Sequence, residues 1–168
     1  MLSPLMACDA AALPASAVLP RWLLSRRPCG TLKGLTVVKL RGAAVLATSD
    51  VIAFAPTTDL ARARSFYEGD LGLPVVDENA YACVFDAHGT MLRITAVAEV
   101  AHPGYTVLGW RVTDMDETVS WLKSHGVLFT RFDGMEQDVQ GVWTTPTGDR
   151  IAWFTDPDGN VLSLTEFR

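Results

Sequence analysis

Histidine and cysteine, the side chains that most often hold transition metals or act as nucleophiles, are scarce here, with three of each in 168 residues. Cys8, Cys29 and Cys83 are odd in number and fall at no metal-binding spacing. A disulfide framework and a zinc knuckle are therefore not what organises the chain, and reduced thiols in a cytoplasmic protein are expected. His88 falls in a turn sequence, His102 in a Pro-Gly linker, and His125 at a helix C-terminus, where a cation complements the dipole. All three read as structural or solvated. No Ser–His–Asp arrangement stands out, and Gly30-Thr-Leu-Lys-Gly34 departs from the phosphate-loop pattern. No apolar run approaches the roughly 18 residues of a membrane helix. Basic residues are in short supply after residue 50: eight Lys/Arg face seventeen Asp/Glu, a balance of −9. Such a body lacks the cationic footprint of a nucleic-acid binder, so neither nucleic acid nor membrane is expected as a partner.

Acids are missing instead from the first 50 residues, which hold six Lys/Arg against two Asp/Glu. Residues 1–44 are rich in Ala, Leu, Pro and Arg and do not resemble the rest of the chain. A transit-like peptide is one reading, since Arg21, Arg26 and Arg27 flank Trp22-Leu-Leu24. A translation start near Val45 is the other. Either way a poorly ordered or non-native extension is expected over 1–44.

What is present is a pattern written twice. The chain closes on two apolar runs around Asp156-Pro-Asp-Gly-Asn160, where Pro157 fixes φ and Gly159 permits a positive one, which predicts a β-hairpin. Beyond the turn, Leu162 and Leu164 alternate with Val161, Ser163 and Thr165. Seventy residues earlier, Gly89, Leu92 and Thr95 stand where Gly159, Leu162 and Thr165 stand, and Asp86 aligns with Asp156. Upstream, Val51–Asp59 leads into Leu60–Tyr67 as Tyr105–Asp114 leads into Met115–Lys123. Asp59 and Asp114 are placed as helix N-caps, and Gly72 and Gly126 as helix ends. The helix after Asp114 should turn Met115, Val119 and Leu122 inward, alongside Trp121. Strands are expected over 73–76, 81–85, 91–97, 106–112, 127–132, 142–144 and 150–155. Two modules result, 48–97 and 105–168, joined by a linker at 98–104.

Two βαβββ copies, the Asp-capped helix containing Phe66-Tyr67, and the closing Asp156-Pro-Asp-Gly-Asn160 hairpin resemble the vicinal oxygen chelate superfamily. That family includes glyoxalase I, extradiol dioxygenases, and bleomycin- and fosfomycin-resistance proteins. The resemblance covers about residues 48–168. It implies an α+β fold in which two tandem βαβββ modules form a curved, barrel-like mixed sheet around a cavity. It also implies metal ligands, His or Glu, on the first and fourth strands of each copy. Aligned on Asp59, Gly89, Asp114 and Gly159, those positions carry Ile52, Arg93, Val107 and Ser163. Ile52 and Val107 have no lone pair to give, and Arg93 would repel a divalent ion. A one-residue slip, to Val51, Ala53, Thr106 or Leu108, supplies no better ligand. The expectation is therefore no metal and no cofactor.

Alternation assigns the cavity face. Leu92 and Ile94 should meet a helix, leaving Met91, Arg93 and Thr95 inward. Leu108, Trp110 and Val112 should pack on helices, leaving Val107, Gly109 and Arg111 toward the cavity with Ser163 and Thr165. Arg93 could hold a carboxylate, phosphate or phenolate, or pair with an inward acid. Trp143 and Trp153 lie on neighbouring strands, with Tyr81, Phe85 and Phe154 nearby, and aromatic walls suit a flat ligand. Trp153 aligns with Cys83 of the first copy, which makes the two halves unequal. The acidic run Asp133, Glu136, Asp138 reads as a solvated loop, and Asp156 and Asp158 as turn residues. The candidate ligand-binding set is thus Arg93, Arg111, Trp143, Trp153 and Ser163.

Two functions are implied by the resemblance and these residues. One is a metal-independent small-molecule binder of the bleomycin-resistance kind, whose acidic body would attract cationic ligands. The other is a glyoxalase-like or dioxygenase-like enzyme with atypical metal ligands or none, in which Arg93 would orient an anionic substrate. An accessory module recruited by a partner is a third option. Relatives are commonly dimers, so a homodimer is the candidate assembly.

Overall fold

The structure is a computed structural model and describes residues 45–168; the expectation for residues 1–44 lies outside them. Two mixed sheets carry the fold. The first contains β1 (Ile52–Thr57), β2 (Val75–Asn79), β3 (Ala82–Ala87) and β4 (Thr90–Ala96), in the order β1-β4-β3-β2. The second contains β5 (Leu108–Arg111), β6 (Phe129–Thr130), β7 (Val142–Thr144), β8 (Arg150–Thr155) and β9 (Val161–Glu166). Its order is β5-β9-β8-β6, with β7 also on β8. In each sheet the first strand pairs parallel to the last, β1 with β4 and β5 with β9, and the other pairs are antiparallel. This is the expected α+β class. The strands form two separate sheets, and no ladder joins β1 to β5 among the described residues.

Each parallel crossover is a helix started by an aspartate. Asp59 is extended (φ −145°) and accepts a hydrogen bond from Arg62 N at the start of α1 (Leu60–Arg64). Asp114 (φ −139°) accepts from Glu117 N at the start of α2 (Met115–Ser124). These bonds satisfy backbone donors that the first turn leaves free. α1 widens into a π-helical turn over Ser65–Asp70, where Leu71 N donates to Phe66 O at 2.9 Å. Gly72 then turns the chain at φ +69°, and a Cβ there would lie 3.4 Å from the edge of the Trp121 indole.

One apolar cluster serves both sheets. Cys83, Phe85, Leu92 and Ile94 from the first join Ala152, Phe154, Leu162 and Leu164 from the second, around Phe66, Tyr67, Met115, Val119 and Leu122. The alternation predicted for β4, α2 and β9 therefore holds. Trp121 departs from it, being 43% exposed where Phe66 is buried.

Several predicted boundaries move. The strand expected at 73–76 begins at Val75, that at 106–112 spans only Leu108–Arg111, and that at 127–132 only Phe129–Thr130. β6 and β7 share one edge of β8, flanking the 131–141 loop, so the second sheet's outer strand is interrupted. The two hairpins also differ. Ala87 pairs with Thr90 across His88-Gly89 alone, both at positive φ (53° and 84°), as a two-residue type I′ turn requires. Thr155 pairs with Val161 across five residues. The offset between the copies is thus 70 on their last strands and 69 on the strands before. Asp86 lies inside β3 opposite Met91, not at the turn position of Asp156, and Trp153 corresponds to Val84 and not to Cys83.

Among the described residues no helix is long and apolar enough to cross a membrane.

Candidate functional site

The register of the second sheet sets Gly109, Ser163, Trp153 and Thr130 side by side across β5, β9, β8 and β6. The next row on the same face is Arg111, Thr165, Ile151 and Trp143. Ser163 owes its position to Gly109: a Cβ at 109 would stand 2.6 Å from Ser163 Oγ. The hydroxyl therefore lies over the bare β5 backbone.

Trp143 and Trp153 meet with ring centroids 6.2 Å apart, and Phe132 stands edge-on to Trp153 at 5.5 Å and 90°. Trp153 and Phe132 border a hollow of about 290 Å³, lined also by Tyr105, Thr106, Asp133 and Met135, and Trp143 backs Trp153 from outside it. The loop carrying Phe132 and Asp133 is fixed by Gln137, which receives a bond from Phe132 N at 2.8 Å and donates to Thr130 O and Gly141 O. Asp138 tightens the same loop by accepting from Gln140 N and Val142 N.

Of the sequence-predicted residues, Trp143, Trp153 and Ser163 come together on this face. Arg111 shares the face one row along and lies over the Phe167 ring, 5.7 Å from its centroid. Arg93 is on the other sheet, half-buried between Phe54 and Val84 in register. It makes no ion pair or side-chain hydrogen bond with the described residues, so the inward acid that would have closed the barrel is not beside it. Phe85 and Phe154 do not belong to the cavity side; they point to the helices and are fully buried, and Tyr81 is exposed. Tyr105, Phe132 and Met135 were missed as lining. Tyr105 and Met135 sit outside the predicted strands, where alternation gives no direction; Phe132 ended the strand expected over 127–132, which in the structure stops at Thr130.

The metal that the resemblance implies meets a poor donor set. Ile52 and Phe54 present exposed hydrocarbon, and Val107 packs against the core. Among the described residues no three His, Cys, Asp or Glu side chains converge. Aliphatic, hydroxyl and guanidinium groups at these four positions do not fit a divalent cation. Cys83 is no nucleophile: burial pushes its thiol up from the ordinary range, and it faces the core.

The turn aspartates do more than turn the chain. Asp158 reaches from the last hairpin to the start of α1, accepting from Thr57 Oγ1 (2.6 Å), Thr58 N (2.9 Å), Thr58 Oγ1 (2.7 Å) and Arg62 Nη2 (2.8 Å). Burial alone would raise its carboxyl, but these donors outweigh it and hold the group below the usual range. Asp156 accepts from Tyr67 Oη at 2.9 Å. Burial, then the Asp156 charge, pushes that phenol far above its ordinary range, so it remains a donor. Asn160 Nδ2 donates to Pro56 O and Asp156. The hairpin thereby fastens β9 to the end of β1.

Comparison with known proteins agrees with this architecture. The profile of the Glyoxalase/Bleomycin resistance protein/Dioxygenase superfamily matches residues 48–164. No curated protein matches the chain. Among solved structures, a bleomycin-binding protein complexed with bleomycin is similar at 23% identity and a TM-score of 0.57, over 72% of this chain and 100% of that one. A glyoxalase/bleomycin resistance protein/dioxygenase from Alicyclobacillus acidocaldarius is 19% identical (TM-score 0.56; 71% and 92% covered). A genomically encoded fosfomycin resistance protein from Listeria monocytogenes is 17% identical (TM-score 0.56; 72% and 94% covered). At these identities the structures show the fold alone, while the profile spans most of the sequence. The chain belongs to the glyoxalase/bleomycin resistance protein/dioxygenase superfamily.

Proposed function

We propose that this chain binds a flat, positively charged aromatic molecule in the hollow of the second sheet, without the metal usual in its superfamily. The observation that carries the reading is the Trp153 indole, set between Phe132 and Trp143 with the Asp133 carboxylate at the same opening. Aromatic faces attract cations, and a carboxylate at the mouth adds to that attraction. The balance of −9 after residue 50 steers cations to the surface. The bleomycin-binding relative lends the same direction. Calorimetric titration of the full chain with bleomycin and smaller cationic aromatics tests it. Trp153→Ala should weaken binding about tenfold, and Asp133→Asn should remove the preference for cations over neutral isosteres. Equal affinity in wild type and Trp153→Ala would refute the site.

The same reading includes a homodimer. Ile52 and Phe54, on one face of β1, are 47% and 59% exposed and Val51 just before it is 74% exposed, an apolar strip that a second copy would cover. Sedimentation should show a dimer that Phe54→Glu dissociates.

The unpartnered Arg93 supports a second reading, an enzyme that orients an anionic substrate and uses atypical metal ligands or none. Stoichiometric tightly held metal in the purified protein would favour it over the binder.

A further inference from the structure

The second sheet has another opening, on its helix side. A cleft of about 190 Å³ lies where the segment after the π-helical turn, through Leu71 and Leu73, approaches Trp110, Trp121, Phe154 and Leu164. We infer that this cleft is a second small-molecule site, one that takes a neutral aromatic compound of one or two rings.

Three features point to that class. The first is size. An apolar cavity of about 150 Å³ already holds benzene, and this cleft is of the same order. The second is the walls. Trp110 stacks on Phe154 with centroids 6.4 Å apart and 22° between planes. Trp121 closes the opposite side, and it is held there while remaining 43% exposed. One edge of its indole meets Gly72, and the His125 ring lies 4.0 Å from it, tied by a 2.8 Å contact from Nδ1 to Trp121 O. A large apolar side chain fixed in place but left uncovered is available to a ligand. The third is charge. No carboxylate lines the cleft, and its one charged residue, Arg111, already lies over Phe167.

This site is separate from the hollow. β8 turns Trp153 to one face of the sheet and Phe154 to the other. The walls also come from both halves of the chain, so a ligand here would bridge the loop before β2 to α2.

Fluorine NMR of fluorobenzene and 1-fluoronaphthalene with the full chain tests the proposal. Both probes should show saturable shifts. Leu73→Phe and Thr118→Phe fill the cleft from opposite walls, and each should weaken binding about tenfold while near-ultraviolet circular dichroism stays native. Should one variant fail to fold, the other carries the test. Trp153→Ala should leave the neutral probes bound and remove 4-fluorobenzylammonium, which reports the hollow instead. Absence of a saturable shift in the wild-type chain would overturn the cleft as a site. So would retention of the neutral probes by both filled variants together with their loss in Trp153→Ala.

Discussion

Gly109 and Ser163 stand so close across β5 and β9 that a Cβ at 109 and the Ser163 hydroxyl compete for one space. The 2.6 Å between Ser163 Oγ and the place of a Cβ at 109 is shorter than van der Waals contact allows, whereas the Ser163 Cβ is 3.9 Å away. Gly109→Ala should therefore force the serine off its rotamer, which costs about 1 kcal/mol, against a gain of roughly 0.4–1 kcal/mol from a less flexible unfolded chain. The net change in the wild-type background is expected near zero or slightly destabilising. In a Ser163→Ala background the clash is gone and Gly109→Ala should stabilise. Urea unfolding of the four chains of this double-mutant cycle gives the coupling directly. Additive effects would mean that the hydroxyl does not lie over β5.

At the scale of an element, the five-residue hairpin loop acts as a clasp. Asp158 has a side chain only 2% exposed, and its four donors all come from β1, the residue after it, and α1. Arg62 is 47% exposed, so its charge contributes little, and the Thr57 and Thr58 bonds matter most. Asp158→Ala removes the nearer of two acceptors of the buried Thr57 hydroxyl, leaving Asp59 O at 2.9 Å, and also strips the partner from Thr58 N and Thr58 Oγ1, so it should cost about 1–3 kcal/mol. The pH dependence has a definite sign. A carboxyl held below its unfolded pKa of about 3.9 stabilises above that value and loses its contribution as pH falls through the folded value. Thermal melts below about pH 4 should thus decline more steeply for wild type than for Asp158→Asn. Parallel acid limbs would show that the clasp bears no charge-dependent load. Elements of this kind mark where sequence reasoning stops. Asp59 and Asp114 were legible as caps, and Leu92, Ile94, Leu162 and Leu164 as core, because each depends on local chemistry or a period of two. The role of Asp158 depends on residues about a hundred positions away, and nothing in Asp-Pro-Asp-Gly-Asn distinguishes a turn from a turn that grips another strand. The slip between Cys83 and Val84 has a similar origin: a two-residue turn and a five-residue turn were aligned as equals. Trp143, Trp153 and Ser163 share a face because strands alternate, while Tyr105 and Met135 lay beyond the expected strands and Phe132 lies beyond the observed end of β6.

At the scale of the molecule, the shared core predicts that the two halves unfold as one. Cys83 from the first half and Leu162 from the second belong to the same buried cluster, and the Asp156, Asp158 and Asn160 bonds join the halves again at the end of β1. The sequence supplies an independent reporter for each half. Trp110, Trp121, Trp143 and Trp153 all come after residue 104, and Cys83, with no exposed surface, precedes it. With Cys8 and Cys29 changed to Ser, thiol labelling of Cys83 reads the first half and tryptophan fluorescence the second. The Trp22 signal is removed by Trp22→Phe. In guanidinium the two probes should report the same midpoint and the same slope, the signature of a single cooperative transition. Labelling of Cys83 at a lower denaturant concentration than the fluorescence change would mean that the first sheet opens while the second stays folded. The common cluster would then be two cores in contact, and a ligand bound only to the second sheet would leave the first sheet's stability unchanged. If the midpoints coincide, ligand in the Trp153 hollow must protect Cys83 as well, because anything that binds only the folded chain shifts the whole equilibrium.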